Sequence, residues 1–281
     1  MTWHHPNYYR KLREERKKIP VSGTKERETA PSRIKTALFN DLIDYKKFHQ
    51  MMVTQLKDPS HKHQAASALK KTQWFNSMNL ESMNTQQAWN LVGGLSKPSK
   101  MPGWAYGLPA KECKTGSKLR QVKDSVCYNC YALKGCYVFK VVQNAQYKRL
   151  ASVQHPLWTG AMALLINSKK SKEFRWHDSG DVQNEDHLTK IFAVCRLTPT
   201  VRHWMPTREA WIKHFMKLCP DNLVIRFSMP MVNQPAAGGW ANTSTVVTAG
   251  TTCPSAQQDN ECKNCRNCWD PKIKNISYGK H

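Results

Sequence analysis

Eight of the ten cysteines in this chain fall into two sets of four, and no other feature constrains its fold as strongly. The first set is Cys113, Cys127, Cys130 and Cys136. The second is Cys253, Cys262, Cys265 and Cys268. Together they bracket the most strand-like part of the sequence, so a fold has to gather two groups of thiols around one core. The opening residues, Met1-Thr2-Trp3-His4-His5-Pro6, lead into no apolar signal segment. No apolar run approaches the ~20 residues of a membrane span. A cytoplasmic setting away from the membrane is expected. Thiols stay reduced there, so clustered cysteines favour metal over disulfides.

The second set has the more specific spacing. Cys262-x2-Cys265-x2-Cys268 follows a remote Cys253-Pro254. Zinc knuckles supply cysteines in pairs. Three cysteines at successive x2 spacing instead wrap a cubane, and a remote cysteine beside proline completes a four-iron cluster. The pattern favours iron–sulfur over a zinc staple at the C-terminus. In the first set, the Cys127-Tyr128-Asn129-Cys130 core suits zinc nearly as well as iron–sulfur. A thioredoxin-like redox pair fits poorly, because two further cysteines crowd it and no strand precedes it. Lys114, Lys118, Arg120, Lys123 and Lys134 surround this set. They are expected to lower the thiol pKa values and offset a negative cluster. Cys195 and Cys219 lie in helix patterns and read as structural thiols.

Charge narrows the range of partners. There are 43 Lys and Arg against 20 Asp and Glu, a net charge of +23, and the excess lies on both sides of residue 100. Such a surface attracts polyanions, nucleic acid above all. A generic basic protein with non-specific affinity explains the charge equally well.

Residues 1–35 are charge-dense and lack an aliphatic pattern, which predicts an exposed helix or disordered arm. Leu38, Leu42, Ile43, Phe48, Met51, Met52 and Leu56 predict a helix within 36–57. Further helices are expected at 64–75 and 84–92, the latter stopped by Gly93-Gly94. The stretch 95–126 has no clear period and is tied down by Cys113. Beyond it, helices are expected over 138–152, 158–168, 185–197 and 209–218. Strands are expected at Phe174–His177, Val201–Trp204, Leu223–Phe227 and Thr245–Thr248. Strand, polar loop and helix in repetition predict a parallel α/β sheet, and the number of units suits a partial barrel. No glycine-rich dinucleotide or Walker-type loop occurs, which disfavours a Rossmann fold.

In parallel α/β folds, sites form at the carboxyl ends of strands. Here those ends carry His177-Asp178-Ser179-Gly180-Asp181, then Thr207-Arg208-Glu209, then Arg226 and Ser228. His177 with Asp178 or Asp181 makes a candidate acid–base pair. Arg208 or Arg226 is a candidate for holding a carboxylate or phosphate. Helix capping competes as the role of the two aspartates. His187 reads as a surface or core residue.

Several longer stretches carry a resemblance. Leu108-Pro109-Ala110-x-x-Cys113-Lys114-Thr115-Gly116-Ser117-Lys118-Leu119 is one. Ser125-Val126-Cys127-Tyr128-x-Cys130-Tyr131-Ala132, Phe174–Asp181 and Trp204-x-Pro206-Thr207-Arg208-Glu209 are the others. In this order they resemble the phage "gene product 88" domain family, over about Leu91 to Trp269. The resemblance implies a viral origin and cysteine-cluster binding. A looser similarity is to radical SAM enzymes, which implies a partial parallel barrel, a cubane on three cysteines and bound S-adenosylmethionine. Ser179-Gly180-Asp181 would then stand where that family binds the methionine amine. The usual Cys-x3-Cys-x2-Cys loop of those enzymes is absent. If Cys113 completes the first cluster, no iron is left open for the cofactor.

The expectation is therefore a basic, mainly helical extension over 1–90 and a cysteine-cluster α/β domain over 91–281, folded as a radical-SAM-like partial parallel barrel. It would hold two [4Fe-4S] clusters in the host cytoplasm and contact nucleic acid or another polyanion. The alternatives are a radical-SAM-like enzyme, with His177, Asp178, Asp181 and Arg208 catalytic and Ser179 and Gly180 holding the cofactor, or a zinc-stapled structural or DNA-binding protein.

Overall fold

The short apolar runs between the helices pair into one parallel sheet. In the computed structural model, residues 82–280 are described. The basic arm and the helices expected within 36–57 and 64–75 lie outside them. The strands are β1 (Trp104–Tyr106), β2 (Glu173–Trp176), β3 (Arg202–Thr207), β4 (Leu223–Ser228), β5 (Thr243–Val247) and β6 (Asn275–Gly279). They lie in chain order, each parallel to the next. The parallel α/β expectation holds. β1 and β6 form the two edges of the sheet, and closure into a radical-SAM-like barrel is not seen.

The α-helices are α1 (Thr85–Val92), α2 (Lys114–Leu119), α3 (Lys140–Ser152), α4 (Trp158–Ser168) and α5 (Glu185–Leu197). Sequence signals explain their ends. Asn84 caps α1 by accepting from the Gln87 N–H, and Gln87 returns the bond to the Asn84 N–H. Gly93, at φ 74°, closes it. Asn184 caps α5, and Glu185 and Asp186 sit in its first turn, where the helix dipole favours negative charge. α4 is apolar nearly all round and packs between α1 and α5. Met83, Ala88 and Val92 belong to the same core as the sheet, so this domain takes in residues before 91.

Four elements depart from expectation, the first being α2, a helix inside the stretch read as having no period. β1 lies inside the stretch without periodicity, where three residues are too few to show alternation. β6 is polar and buries mainly Ile276. The segment Ala210–Leu218 is 3-10 rather than α-helical. Its buried residues, Ile212 and Phe215, are three apart, which fits three residues per turn.

Alternation along the strands gives the sheet two different faces. Phe174, Trp176, Met205, Leu223 and Ile225 join α4 and α5 in the main core. Arg175, Trp204 and Arg226 point the other way. Trp204 packs there with Cys268, Trp269 and Ile276. The second cysteine set therefore lies on the face opposite the helices.

Candidate metal centres

All ten cysteines are free thiols. The first set gathers at the carboxyl ends of β2, β3 and β4. Thr115, two residues after Cys113, is held there by Glu209, whose carboxylate accepts from the Thr115 N–H and hydroxyl, each at 3.0 Å. Glu209 is buried just beyond β3 and also accepts from Trp211 Nε1 at 3.1 Å. Val126, beside Cys127, donates its N–H to the Pro230 carbonyl after β4 at 2.8 Å. The Tyr131 hydroxyl donates to the Asp178 carbonyl after β2 at 2.6 Å. Three strand ends thus fix one cysteine loop.

Within it, Cys127 and Cys130 lie close enough to raise the Cys113 thiol, and Cys130 to raise that of Cys127. Burial is the main cause that pushes the Cys113 thiol well above its ordinary value. Asp181 and the other two thiols add to it, and Arg208 opposes. Burial also raises Cys127, against Arg208. Of the basic residues expected to lower these thiols, Arg120 does so at Cys127, and the foremost opposing cation at both is Arg208, just beyond β3. A Cβ placed on Gly116 would lie 3.7 Å from both the Cys113 and Cys127 sulfurs and 2.9 Å from the Cys113 Cβ. Gly116 has an ordinary helical backbone, so its missing side chain is what lets the Cys113 side chain pack this close beside the Cys127 sulfur. Cys136 is exposed on the 3-10 turn Gly135–Val138.

In the second set, Arg226 fixes the segment that carries Cys268. This fully buried guanidinium donates to the carbonyls of Asn267, Cys268, Asp270 and Ile273 at 2.8–3.1 Å, and to Thr243 at 3.4 Å. It therefore clamps a loop and is not free to hold a carboxylate or phosphate. The Cys253 N–H donates to the Ser277 carbonyl and the Cys262 N–H to the Lys100 carbonyl. Burial raises Cys262, with Cys253 and Cys265 adding. Burial pushes Cys268 up to about 11, opposed by the Tyr278 hydroxyl 3.2 Å away and by Arg175 and Arg226. No three His, Cys, Asp or Glu among the described residues converge closely enough to hold a single metal ion.

At each set one arginine is the foremost opposing cation. Arg208 opposes the thiols of the first, and Arg175 those of the second. Both carry a buried Nε with no hydrogen-bond partner. Arg175 stacks over Trp204 at 4.6 Å and places Nη1 2.9 Å from the Met101 sulfur. It also acts on Tyr131, Tyr137 and Asp178 near the first set, so it faces both. Sequence reading missed Arg175 and Gly116. Only the alternation along β2 pointed to the arginine.

The predicted strand-end residues separate. Asp181 sits beside Cys113. It accepts from the Val182 N–H, the Thr207 hydroxyl and the Arg208 N–H, and burial pushes it up to about 6. Asp178 accepts from the Ser96 hydroxyl at 3.3 Å. Ser179 is buried, donating to the Leu108 carbonyl and accepting from Gln146, each at 2.7 Å. Gly180, at φ 79°, presses on Leu108, where a Cβ would come within 2.6 Å. His177 instead turns into the helical layer, its ring 5.4 Å from that of His187. Both its ring nitrogens lack partners, its φ is 60°, and burial holds its pKa down at about 3. The structure thus brings Asp181 and Arg208 to the cysteines but not His177.

A family model described as Gene product 88 matches residues 77–260. No curated protein and no solved structure matches the chain. The matched span starts before Leu91, where the resemblance was placed, and ends ahead of Cys262, Cys265 and Cys268. It takes in the first cysteine set, Cys253, and β1 to β5. The chain belongs to the phage gene product 88 family.

Proposed function

We propose that this phage protein binds two [4Fe-4S] clusters, one at each cysteine set, and works in the host cytoplasm against nucleic acid. The observation that carries this reading is the pair of buried, partnerless Nε–H groups on Arg208 and Arg175, one beside each set. An orphaned buried donor costs about 1–3 kcal/mol, so an acceptor belongs there, and a cluster with cysteinate ligands is anionic. The packing of the Cys113 side chain beside the Cys127 sulfur at Gly116 fits the same group. A cubane spreads its cysteine ligands wider than the ~4 Å between sulfurs around one zinc ion, so it does not need the tight convergence that is missing here. Cys253, Cys262, Cys265 and Cys268 would hold the second cluster. Cys113, Cys127 and Cys130 would hold the first, with Cys136 as its fourth ligand when the turn carrying it closes. Such clusters supply one-electron transfer. The chain would fix their charge through the two arginines and shield them with Trp204, Trp269 and Tyr278. No helix among the described residues is long and apolar enough to cross a membrane.

The test is metal analysis after oxygen-free purification. About eight irons and eight sulfides per chain, with absorbance near ~400 nm, are expected. A colourless protein with two zinc ions overturns the reading.

The exposed position of Cys136 favours a second reading, a radical-SAM-like enzyme with a three-cysteine first cluster. Asp178, Ser179, Gly180, Asp181 and Arg208 would line its cofactor pocket. This requires that Cys136→Ala keep the full iron content and that the reduced protein cleave S-adenosylmethionine. Loss of four irons in Cys136→Ala removes this reading and leaves the first.

A further inference from the structure

We infer that the face built by residues 111–148, over the first cysteine set, binds single-stranded nucleic acid. This rests on the proposal that nucleic acid is the partner, and it gives that partner a place and a class. Every large hydrophobic side chain exposed among the described residues lies between Val122 and Tyr147. Tyr128 and Phe139 are 53% and 60% exposed, well beyond what folding alone accounts for. The same stretch carries the exposed Lys118, Lys123, Lys134 and Lys140. The acidic residues of the stretch are Glu112, which accepts from the Tyr147 hydroxyl at 2.9 Å, and Asp124.

The same stretch lines a cavity of about 420 Å³, through Lys111, Arg120, Tyr137, Gln143 and Tyr147 among others. Cations, aromatic rings and an amide side chain in one hollow match a phosphate, a base face and a base edge.

The charge favours a polyanion over an ordinary protein partner. The residues ahead of 82 are themselves net basic, so like charge disfavours that segment as the occupant. The exposed rings favour a single strand over a duplex, because a duplex hides its base faces in its own stack.

The test is fluorescence anisotropy of a labelled 15-nucleotide oligothymidylate with the full chain purified without oxygen. Three variants are compared with the parent. The first replaces Lys118, Lys123, Lys134 and Lys140 with alanine. The second is Tyr128→Ala with Phe139→Ala. The third, a control, replaces the exposed Lys213, Lys217, Lys272 and Lys274 with alanine. The first is expected to lose at least about tenfold in affinity and to flatten the salt slope by about 2–3, at ~0.7 per phosphate contact. The second is expected to lose about 5- to 100-fold at unchanged slope. The control should stay within about twofold. All the substituted side chains are exposed, and unchanged near-ultraviolet dichroism confirms folding.

Equal losses in the control and the first variant overturn the placement, leaving diffuse charge as the cause. Duplex binding as tight as single strand overturns the class. Absence of any binding removes the nucleic-acid reading as well.

Discussion

Arg208 and Arg175 bring cations to thiols that the protein otherwise makes hard to ionise. Burial raises Cys113, Cys127, Cys262 and Cys268, and only the guanidinium groups and the Tyr278 hydroxyl pull the other way. A cation beside a cluster stabilises its reduced, more negative state. Arg208→Gln is therefore expected to lower the reduction potential of the first cluster and leave the second unchanged. Arg175→Gln should act mainly on the second, with a smaller effect on the first because it faces both. Potentiometric titration followed by electron paramagnetic resonance reads both, and unchanged potentials in both variants would sink the assignment. Gly116→Ala tests the packing rather than the charge. Its Cβ would meet the Cys113 Cβ at 2.9 Å. Overpacking of this kind costs about 1–3 kcal/mol. Metal analysis should show loss of about four irons while circular dichroism keeps the fold. Full iron content would mean that the cluster does not depend on that packing. Neither residue was legible beforehand: Gly116 sat inside a cysteine motif, and Arg175 was one basic residue among 43.

At the level of elements, each cysteine loop is held by a buried charged residue from a strand or strand end. Glu209 holds the first through Thr115, and Arg226 holds the second through the four carbonyls of Asn267, Cys268, Asp270 and Ile273. Arg226→Met keeps bulk but removes the shared donor; Asn267 and Asp270 keep a backbone N–H and Ile273 keeps the Asn242 amide. At about 1–3 kcal/mol for each carbonyl left without a donor, the loss is expected to be about 2 kcal/mol or more. Thermal denaturation measures it, and metal analysis should show the second cluster lost before the first. A change below about 1 kcal/mol would mean that the loop is held by other means. The helices were largely readable, since α4 and α5 have the residue ranges that their apolar spacing predicts. β1 and β6 were not, because three residues and a polar strand carry no periodic signal. The 3-10 segment after β3 shows tertiary packing overriding a helical pattern.

The whole molecule should respond to acid through its buried histidines. His177 and His203 are held at about 3, and His187 well below its ordinary value, by burial first in each case. Each binds a proton near pH 6.5 when unfolded but not when folded. Stability is therefore fully present above pH 6.5 and is lost as pH falls from there towards 3. Each histidine contributes at most about 1.4 kcal/mol per pH unit. His203 hydrogen-bonds Thr198 at 2.8 Å, far in sequence from either cysteine set. His203→Gln should flatten the loss between pH 6.5 and 4.5, followed by tryptophan fluorescence in denaturant. An unchanged slope would mean that His203 takes up its proton in the folded state.

By itself the amino-acid order determined the two cysteine sets, the parallel α/β class and the basic charge. These follow from spacing, period and count, which are local or additive along the chain. Only the tertiary structure decided which residues meet. It set Asp181 and Arg208 beside Cys113 and turned His177 away into the helical layer. It also converted Arg226 from a candidate ligand holder into a clamp and left Cys136 exposed. The physical reason is that successive side chains on a strand point to opposite faces, and each strand end is closed by its own loop. Neighbours in the sequence such as His177 and Asp181 can thus part, while Cys113 and Arg208, 95 positions apart, come together.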